Sequence, residues 1–99
     1  MIHVIALITA KPGKRAALLE EFRKIIPEVH AEQGCIEYGP AVDAEGSPDR
    51  FGDDTFVVVE KWESPEALKA HSVAPHMKAY GERARDLIAG RAIHVLTPA

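Results

Sequence analysis

The sequence lacks the residues on which disulfides and structural zinc sites depend. Cys35 is the single cysteine among 99 residues, so an internal disulfide is excluded, and no Cys/His cluster has the spacing of a structural zinc site. A basic block is also missing, because twelve Lys and Arg residues stand against fifteen Asp and Glu residues, for a net charge of −3. This balance argues against nucleic acid or an anionic membrane as a partner.

Long apolar runs and targeting signals are missing as well. No stretch approaches the roughly 20 apolar residues that a membrane-spanning helix needs. The apolar run at residues 5–10 is too short for a signal peptide, and no basic segment or cleavage site accompanies it. Together with the single cysteine, these absences lead us to expect a cytoplasmic protein.

Common cofactor motifs do not occur either. The sequence contains no glycine-rich phosphate loop, no dinucleotide fingerprint and no serine nucleophile elbow, so nucleotide, flavin and acyl-enzyme chemistry have no support. What the sequence does contain is a hydrophobic fraction of 46%, which predicts one domain over residues 1–99 with a core of its own. A domain this small has a thin stability margin, so association with a second subunit would help it.

Hydrophobic periodicity and turn residues predict the element order β-α-β-β-α-β. The predicted elements are a strand at 2–9, a helix at 15–33, strands at 35–42 and 55–62, a helical region at 65–90 and a strand at 92–96. The first strand is aliphatic almost throughout, which predicts burial on both of its faces. The polar segment 43–54 is predicted to be the longest loop.

Prolines and capping residues define the ends of these elements. Pro75 breaks the helical region into two helices, and Pro40 indicates an edge strand or a bulge. Ser64 is a predicted N-cap, with Pro65 at the first helical position. Gly34 is predicted to end the first helix in a left-handed conformation.

This order is the split βαβ arrangement of ferredoxin-like domains, an α+β fold with helices on one face of an antiparallel sheet. The opposite face of such a sheet is uncovered, and its apolar strands would expose a large patch. We therefore expect a second copy of the chain to cover that face in a homodimer.

One predicted strand places a carboxylate beside an indole. With a period of two, Phe56, Val58, Glu60 and Trp62 share one face. A carboxyl group among apolar neighbours has a raised pKa unless it has a partner, so Glu60 suits either proton transfer or a buried pair. Trp62 is either a core residue or part of a pocket wall.

Two histidines lie on either side of the break at Pro75. His71 and His76 are five positions apart, whereas a metal pair on one helix needs a spacing of three or four, so no metal site is predicted. An imidazole exchanges protons near neutral pH and can deprotonate a phenol or an enol. Capping or surface hydrogen bonding is the alternative for each of them.

Met77 and Tyr80 continue the apolar spacing of the second of these helices. The hydroxyl groups of Tyr80 and Tyr38 could donate to a bound oxygen atom. Each tyrosine could equally form part of the core with its hydroxyl group reaching water.

These residues occur in an order that resembles a known family. The matching segments are residues 32–38 (EQGCIEY), Phe56, residues 60–63 (EKWE), residues 67–68, His71 and residues 75–76. Across almost the whole chain they resemble the antibiotic biosynthesis monooxygenase domain family, especially its small quinol-monooxygenase-like members.

The resemblance implies a dimeric α+β barrel, in which two ferredoxin-like sheets face each other and each subunit holds an apolar pocket. It further implies oxygenation of a small phenol or quinol by O2 without metal or other cofactor, started by an enzyme base. The implied catalytic residues are His71 and His76. The resemblance also implies Trp62 as part of the pocket wall. The predicted substrate-binding residues are Trp62 with Glu60, Phe56, Tyr80 and Met77.

One departure from the family pattern keeps other functions open. Better understood oxygenases of the family use an asparagine near a tryptophan, and this sequence contains no asparagine. A small-molecule isomerase with a histidine proton shuttle is one alternative. A module that binds an aromatic molecule without catalysis is another.

Overall fold

The computed structural model describes residues 1–99, and its four strands form one antiparallel sheet in the order β2-β3-β1-β4. The elements are β1 (Ile2–Ala10), α1 (Arg15–His30), β2 (Cys35–Ala41), β3 (Thr55–Trp62), α2 (Pro65–Ser72), α3 (Pro75–Ala84), a 3-10 turn (Arg85–Leu87) and β4 (Ile88–Leu96). This confirms the predicted ferredoxin-like α+β fold. β2 is an edge strand, as Pro40 indicated.

The first helix is shorter than its hydrophobic pattern predicts. α1 ends at His30 instead of residue 33, and the chain then turns until Gly34 adopts a φ of +85°. The backbone N–H of Glu32 bonds to the carbonyl oxygen of Val29 at 3.0 Å within this turn. The turn therefore presents the side chain of Glu32 beyond the end of the helix.

The second helical region confirms one prediction and corrects another. Ser64 caps α2, since its Oγ accepts the backbone N–H of Ala67 at 3.1 Å, and α3 begins at Pro75 after the predicted break. The expected continuation of the helix to residue 90 is wrong, because β4 already begins at Ile88. Pairing of β4 with β1 along its length overrides the helical spacing of the apolar residues there.

Burial alternates along β1 instead of covering both of its faces. Val4 and Ala6 are buried beneath the helices, while Ile5 and Leu7 on the opposite face are only half-buried. The prediction of a strand buried on both faces is therefore wrong for the single chain. The apolar residues of this opposite face, which we call the outer sheet face, are Ile5, Leu7, Val57, Val59 and Leu96.

The core lies between α1, α3 and the inner face of the sheet, and aromatic rings form its centre. Phe22 of α1 stacks on Tyr38 at 5.5 Å between ring centroids and contacts the edges of Phe56 and Tyr80 at 5.3 and 5.9 Å. Pairs of this kind add to the stability that apolar burial provides. None of the helices has the length and apolar character required to cross a membrane.

Gly34 makes the close approach between the end of α1 and the start of α2 possible. A Cβ atom at this position would lie 2.5 Å from Cβ of Ala67, and the φ of +85° is itself unfavourable for other residues. We expect Gly34→Ala to lower the free energy of unfolding by clearly more than the roughly 1–2 kcal/mol of the backbone effect alone.

The matched control is Gly46→Ala, since Gly46 has a φ of +84° and open space around it. It should show only the backbone effect. Urea denaturation of both variants measures the difference, and equal losses of stability would contradict the proposed clash with Ala67.

Candidate active site

A cavity of about 770 Å³ lies between the inner face of the sheet and the two short helices α2 and α3. It exists because no helix covers the adjacent part of β4, where Ile93 and Val95 are 56% and 55% exposed. Apolar side chains make up most of its wall, including Val4, Ile8, Leu68, Met77 and Ile93. Such a cavity suits a small, largely apolar ligand.

A carboxylate and two imidazoles form a cluster beside this cavity. Oε2 of Glu32 accepts hydrogen bonds from Nδ1 of His71 at 2.9 Å and from Nε2 of His76 at 2.8 Å. Nδ1 of His76 lies 3.7 Å from a carboxylate oxygen of Glu28. Three separate segments supply the cluster, namely the turn after α1, the end of α2 and the start of α3.

The bond to Glu32 determines which nitrogen of His71 is free. A carboxylate can only accept, so Nδ1 carries the proton and Nε2 of the neutral ring has a lone pair. Nε2 of His71 makes no hydrogen bond. Because every buried side-chain nitrogen and oxygen has a hydrogen-bond partner, Nε2 is not one of the buried atoms. Because His71 lines the cavity, Nε2 is the ring nitrogen that is available to a ligand there.

Two aromatic rings hold the imidazole of His71 in place. Its centroid lies 4.7 Å from the indole of Trp62, at an angle of 37° between the planes. The ring of Tyr38 meets it edge to face at 5.4 Å. With Glu32 bonded to Nδ1, these contacts restrict the ring to one orientation, which is what a general base in a cavity requires.

Glu60 is the one acidic residue that lines the cavity itself. Its Oε1 accepts the indole N–H of Trp62 at 2.9 Å, and no Lys or Arg of the chain forms an ion pair with it. Burial raises the pKa of the Glu60 carboxyl, although the indole bond and His71 oppose this effect. Glu60 therefore keeps its proton to a higher pH than an exposed glutamate does.

Two tyrosines add hydroxyl groups to the cavity wall. Burial raises the pKa of Tyr80 to about 12 and raises that of Tyr38 well above its usual range. Both hydroxyl groups therefore stay protonated at neutral pH. Both residues line the cavity, where such hydroxyl groups can donate hydrogen bonds to a ligand oxygen.

The structure separates the predicted site residues into two groups. His71, Glu60, Tyr80 and Met77 line the cavity. The other three are Trp62 and Phe56, which are fully buried behind the wall, and His76, which joins the site through Glu32. Phe56 and Trp62 therefore do not line this cavity.

Glu32 is the important residue that the sequence pattern did not assign to the site. It lies 39 positions before His71 and 44 before His76, so no local spacing could connect the three residues. Its side chain is 14% exposed, compared with 7% for His71 and 18% for His76. The sequence gives one indication of its role: Glu32 is the first residue of segment 32–38, which resembles the family.

Fold and site together define a small ferredoxin-like domain with a carboxylate-bound histidine facing an apolar cavity. The sequence model of the family described as antibiotic biosynthesis monooxygenase (ABM) matches residues 1–83. The chain is 41% identical to "Probable quinol monooxygenase YgiN" of Escherichia coli K12, over 99% of this chain and 98% of the relative. The chain belongs to the ABM family.

Solved structures agree with this assignment. The crystal structure of PA3566 from Pseudomonas aeruginosa matches with a TM-score of 0.83 and 28% identity, over 99% of this chain and 93% of that one. The structure of Rv0793 from Mycobacterium tuberculosis matches with a TM-score of 0.82 and 29% identity, over 99% and 94%. The fold is thus shared across the length of these chains.

The raised pKa of Glu60 makes stability depend on pH. Between the ordinary value of 4.5 and the raised one, the folded chain binds more protons than the unfolded chain, so its free energy of unfolding falls as the pH rises. Glu60→Gln cannot ionise, and its amide oxygen can still accept the indole N–H. We expect this variant to become more stable relative to the parent protein as the pH rises from about 4.5 through the raised pKa of Glu60.

Urea denaturation at several pH values measures this effect. Glu20→Gln serves as the control, because it makes the same change at an exposed position of α1. If the relative stability of Glu60→Gln follows that of the control at every pH, burial of the Glu60 carboxyl does not influence folding.

Proposed function

We propose that the chain is a cofactor-independent monooxygenase for a small phenol or quinol, with His71 as its general base. The observation that carries this proposal is the geometry of His71, which lines the cavity and whose Nδ1 donates to Glu32 at 2.9 Å, so that Nε2 is the nitrogen left to accept a proton. The name of the E. coli relative supports a quinol as the substrate class.

In the first step, Nε2 of His71 takes the proton of a substrate hydroxyl group. The resulting imidazolium is stabilised by the Glu32 carboxylate, much as an aspartate stabilises a catalytic histidine in hydrolases. The deprotonated ring is electron-rich and can reduce O2 itself. A quinol that loses its two hydroxyl hydrogens and gains one oxygen atom on a ring carbon yields a hydroxyquinone, and the second oxygen atom leaves as water.

The remaining groups of the cavity position the substrate. The hydroxyl groups of Tyr38 and Tyr80 donate to substrate oxygens, and the Glu60 carboxyl in its protonated form can return a proton to the reduced oxygen. The apolar wall keeps bulk water away from the anion, which protects the reactive intermediate from side reactions. His76 contributes indirectly, by donating to the same Glu32 oxygen as His71.

The assembly that we propose is a homodimer joined through the outer sheet faces. Ile5, Leu7, Val57 and Val59 form contiguous apolar positions on neighbouring strands there, and Leu96 is 47% exposed. An uncovered apolar face of this kind is unusual in a small monomeric domain. Two such faces in contact would form a dimeric α+β barrel.

A second candidate, an isomerase of a small anionic substrate, is favoured by one observation. Lys69, Lys78 and Arg91 line the cavity, and no carboxylate of the chain pairs with any of them. Cations without partners at a cavity can bind a phosphate or carboxylate group. Such an enzyme would use His71 to shuttle a proton and would consume no O2.

Oxygen uptake tests the main proposal. Metal-stripped protein is mixed with reduced naphthoquinols or catechols, and uptake is compared with autoxidation without enzyme. We expect uptake above autoxidation, and a loss on the order of 10²- to 10⁴-fold in kcat for His71→Ala, because the general base is removed. Glu32→Gln should also lower kcat, since it removes the charge that stabilises the imidazolium.

Glu20→Gln is the control for Glu32→Gln and should leave oxygen uptake unchanged. Uptake that persists undiminished in His71→Ala would disprove the role of this histidine. Absence of uptake with every quinol would favour the isomerase, which conversion of phosphorylated sugars or ketones without O2 would then reveal.

The homodimer is tested by placing a charge on the outer sheet face. Val59→Lys buries an ammonium group in the proposed interface, so it should shift the molecular mass at micromolar concentration from dimer to monomer. Val73→Lys is the control, because Val73 is 77% exposed in the α2–α3 connection, on the helical side of the sheet. Analytical ultracentrifugation gives both masses, and a monomeric parent protein would refute the dimer.

A further inference from the structure

The cluster of Glu32, His71 and His76 also has the donor atoms of a metal site. We propose that it binds Zn²⁺ or a chemically similar divalent ion, and that this ion inhibits the enzyme by occupying Nδ1 of His71. One donor atom from each residue lies within 4.8 Å of the other two. The binding site stands on this geometry alone, whereas the inhibition rests on the proposed function.

The spacing of the histidines does not exclude such a site. Five positions are wrong for two ligands on one helix, but His71 ends α2 and His76 begins α3. The break at Pro75 changes the direction of the chain between them. Both imidazoles can therefore reach one carboxylate oxygen, which a continuous helix would not allow.

The donor set selects the kind of ion. Two imidazole nitrogens and one carboxylate oxygen suit Zn²⁺, Co²⁺, Ni²⁺ or Cu²⁺, whereas Mg²⁺ and Ca²⁺ prefer oxygen ligands only. Tetrahedral zinc with bonds of about 2.0–2.1 Å separates its donor atoms by roughly 3.3 Å. The hydrogen-bonded pairs at 2.9 and 2.8 Å need to open by about half an ångström. The two imidazole nitrogens, which lie within 4.8 Å of each other, need to adjust to the same separation.

The surroundings of the cluster also fit an ion. Behind His76, the Glu28 carboxylate lies 3.7 Å from Nδ1, in the place where a carboxylate commonly orients a metal-bound imidazole. Glu28 is 60% exposed and His76 18% exposed, so an ion can reach the cluster from solvent. Water can supply the ligands that the three residues do not.

An ion at this position reverses the role of His71. A neutral imidazole bound to a metal through Nδ1 carries its proton on Nε2. This nitrogen then donates a hydrogen bond and can no longer accept the substrate proton. Binding also links three segments of the folded chain, so the ion stabilises the protein while it removes the base.

The experiment begins with the metal-stripped, full-length protein and ZnCl2, without substrate. We expect calorimetry to show one ion per chain, no comparable binding of MgCl2 and a rise in Tm with Zn²⁺. His76→Gln and Glu32→Gln should each weaken zinc binding by at least about tenfold. His94→Gln, which changes an exposed histidine of β4 outside the cluster, should bind zinc like the parent protein.

A spectroscopic measurement keeps the test independent of stability and activity. Long-range ¹H–¹⁵N correlation of the histidine rings reports which nitrogen carries the proton, and zinc should move the proton of His71 from Nδ1 to Nε2. Zinc should also abolish oxygen uptake over the concentration range in which it binds. If the protein binds zinc but takes up no oxygen even when zinc is absent, the ion site stands and only the proposed function is refuted.

Several results would overturn the ion site itself. The first is that zinc gives neither a binding heat nor a Tm shift. The second is that the parent protein and both ligand variants bind zinc with equal affinity. The third is that His94→Gln loses zinc binding. Acceleration of oxygen uptake by zinc would overturn the inhibition, because it would make the ion part of the catalytic machinery.

Discussion

The pair of hydrogen bonds to one oxygen of Glu32 is the interaction on which the site depends. It joins the turn after α1 to two separate helices, and it fixes the protonated nitrogen of His71. A partly buried carboxylate is costly unless donors surround it, and here both donors are imidazoles from the edges of one helix break. His71 therefore serves both stability and the proposed chemistry. Its Nδ1–H satisfies the Glu32 carboxylate, and its Nε2 keeps a lone pair.

The cavity follows from how few helices this fold has. α2 and α3 are short and begin at prolines, so they cover only part of the sheet and leave the inner face of β4 open. The same strand is uncovered on its outer face. The 99-residue chain leaves these two regions of its four-stranded sheet open, and one of them forms the cavity. The other is the outer sheet face, where the homodimer is proposed.

Local patterns predicted the parts of the structure that local forces determine. The alternation in β3 correctly placed Phe56, Val58, Glu60 and Trp62 on one face, which is the buried one, and Ser64 capped α2 as expected. Gly34 has the predicted left-handed conformation, but α1 ends four residues before it. The predicted end of the second helical region was wrong, because the pairing of β4 with β1 decides where β4 begins. Glu32 escaped notice for the same reason: its partners are distant in sequence, and only the folded chain brings them together.

The geometry that supports His71 as the proposed base also supports the proposed metal site. Glu32 and His76 orient His71, so the three side chains lie close together. The lone pairs with which such groups accept protons can also bind a metal ion. Proton and ion compete for Nδ1 of His71, and only the proton leaves Nε2 free to accept. The proposed cofactor-free reaction therefore requires surroundings in which transition-metal ions are scarce, or a use for the proposed inhibition.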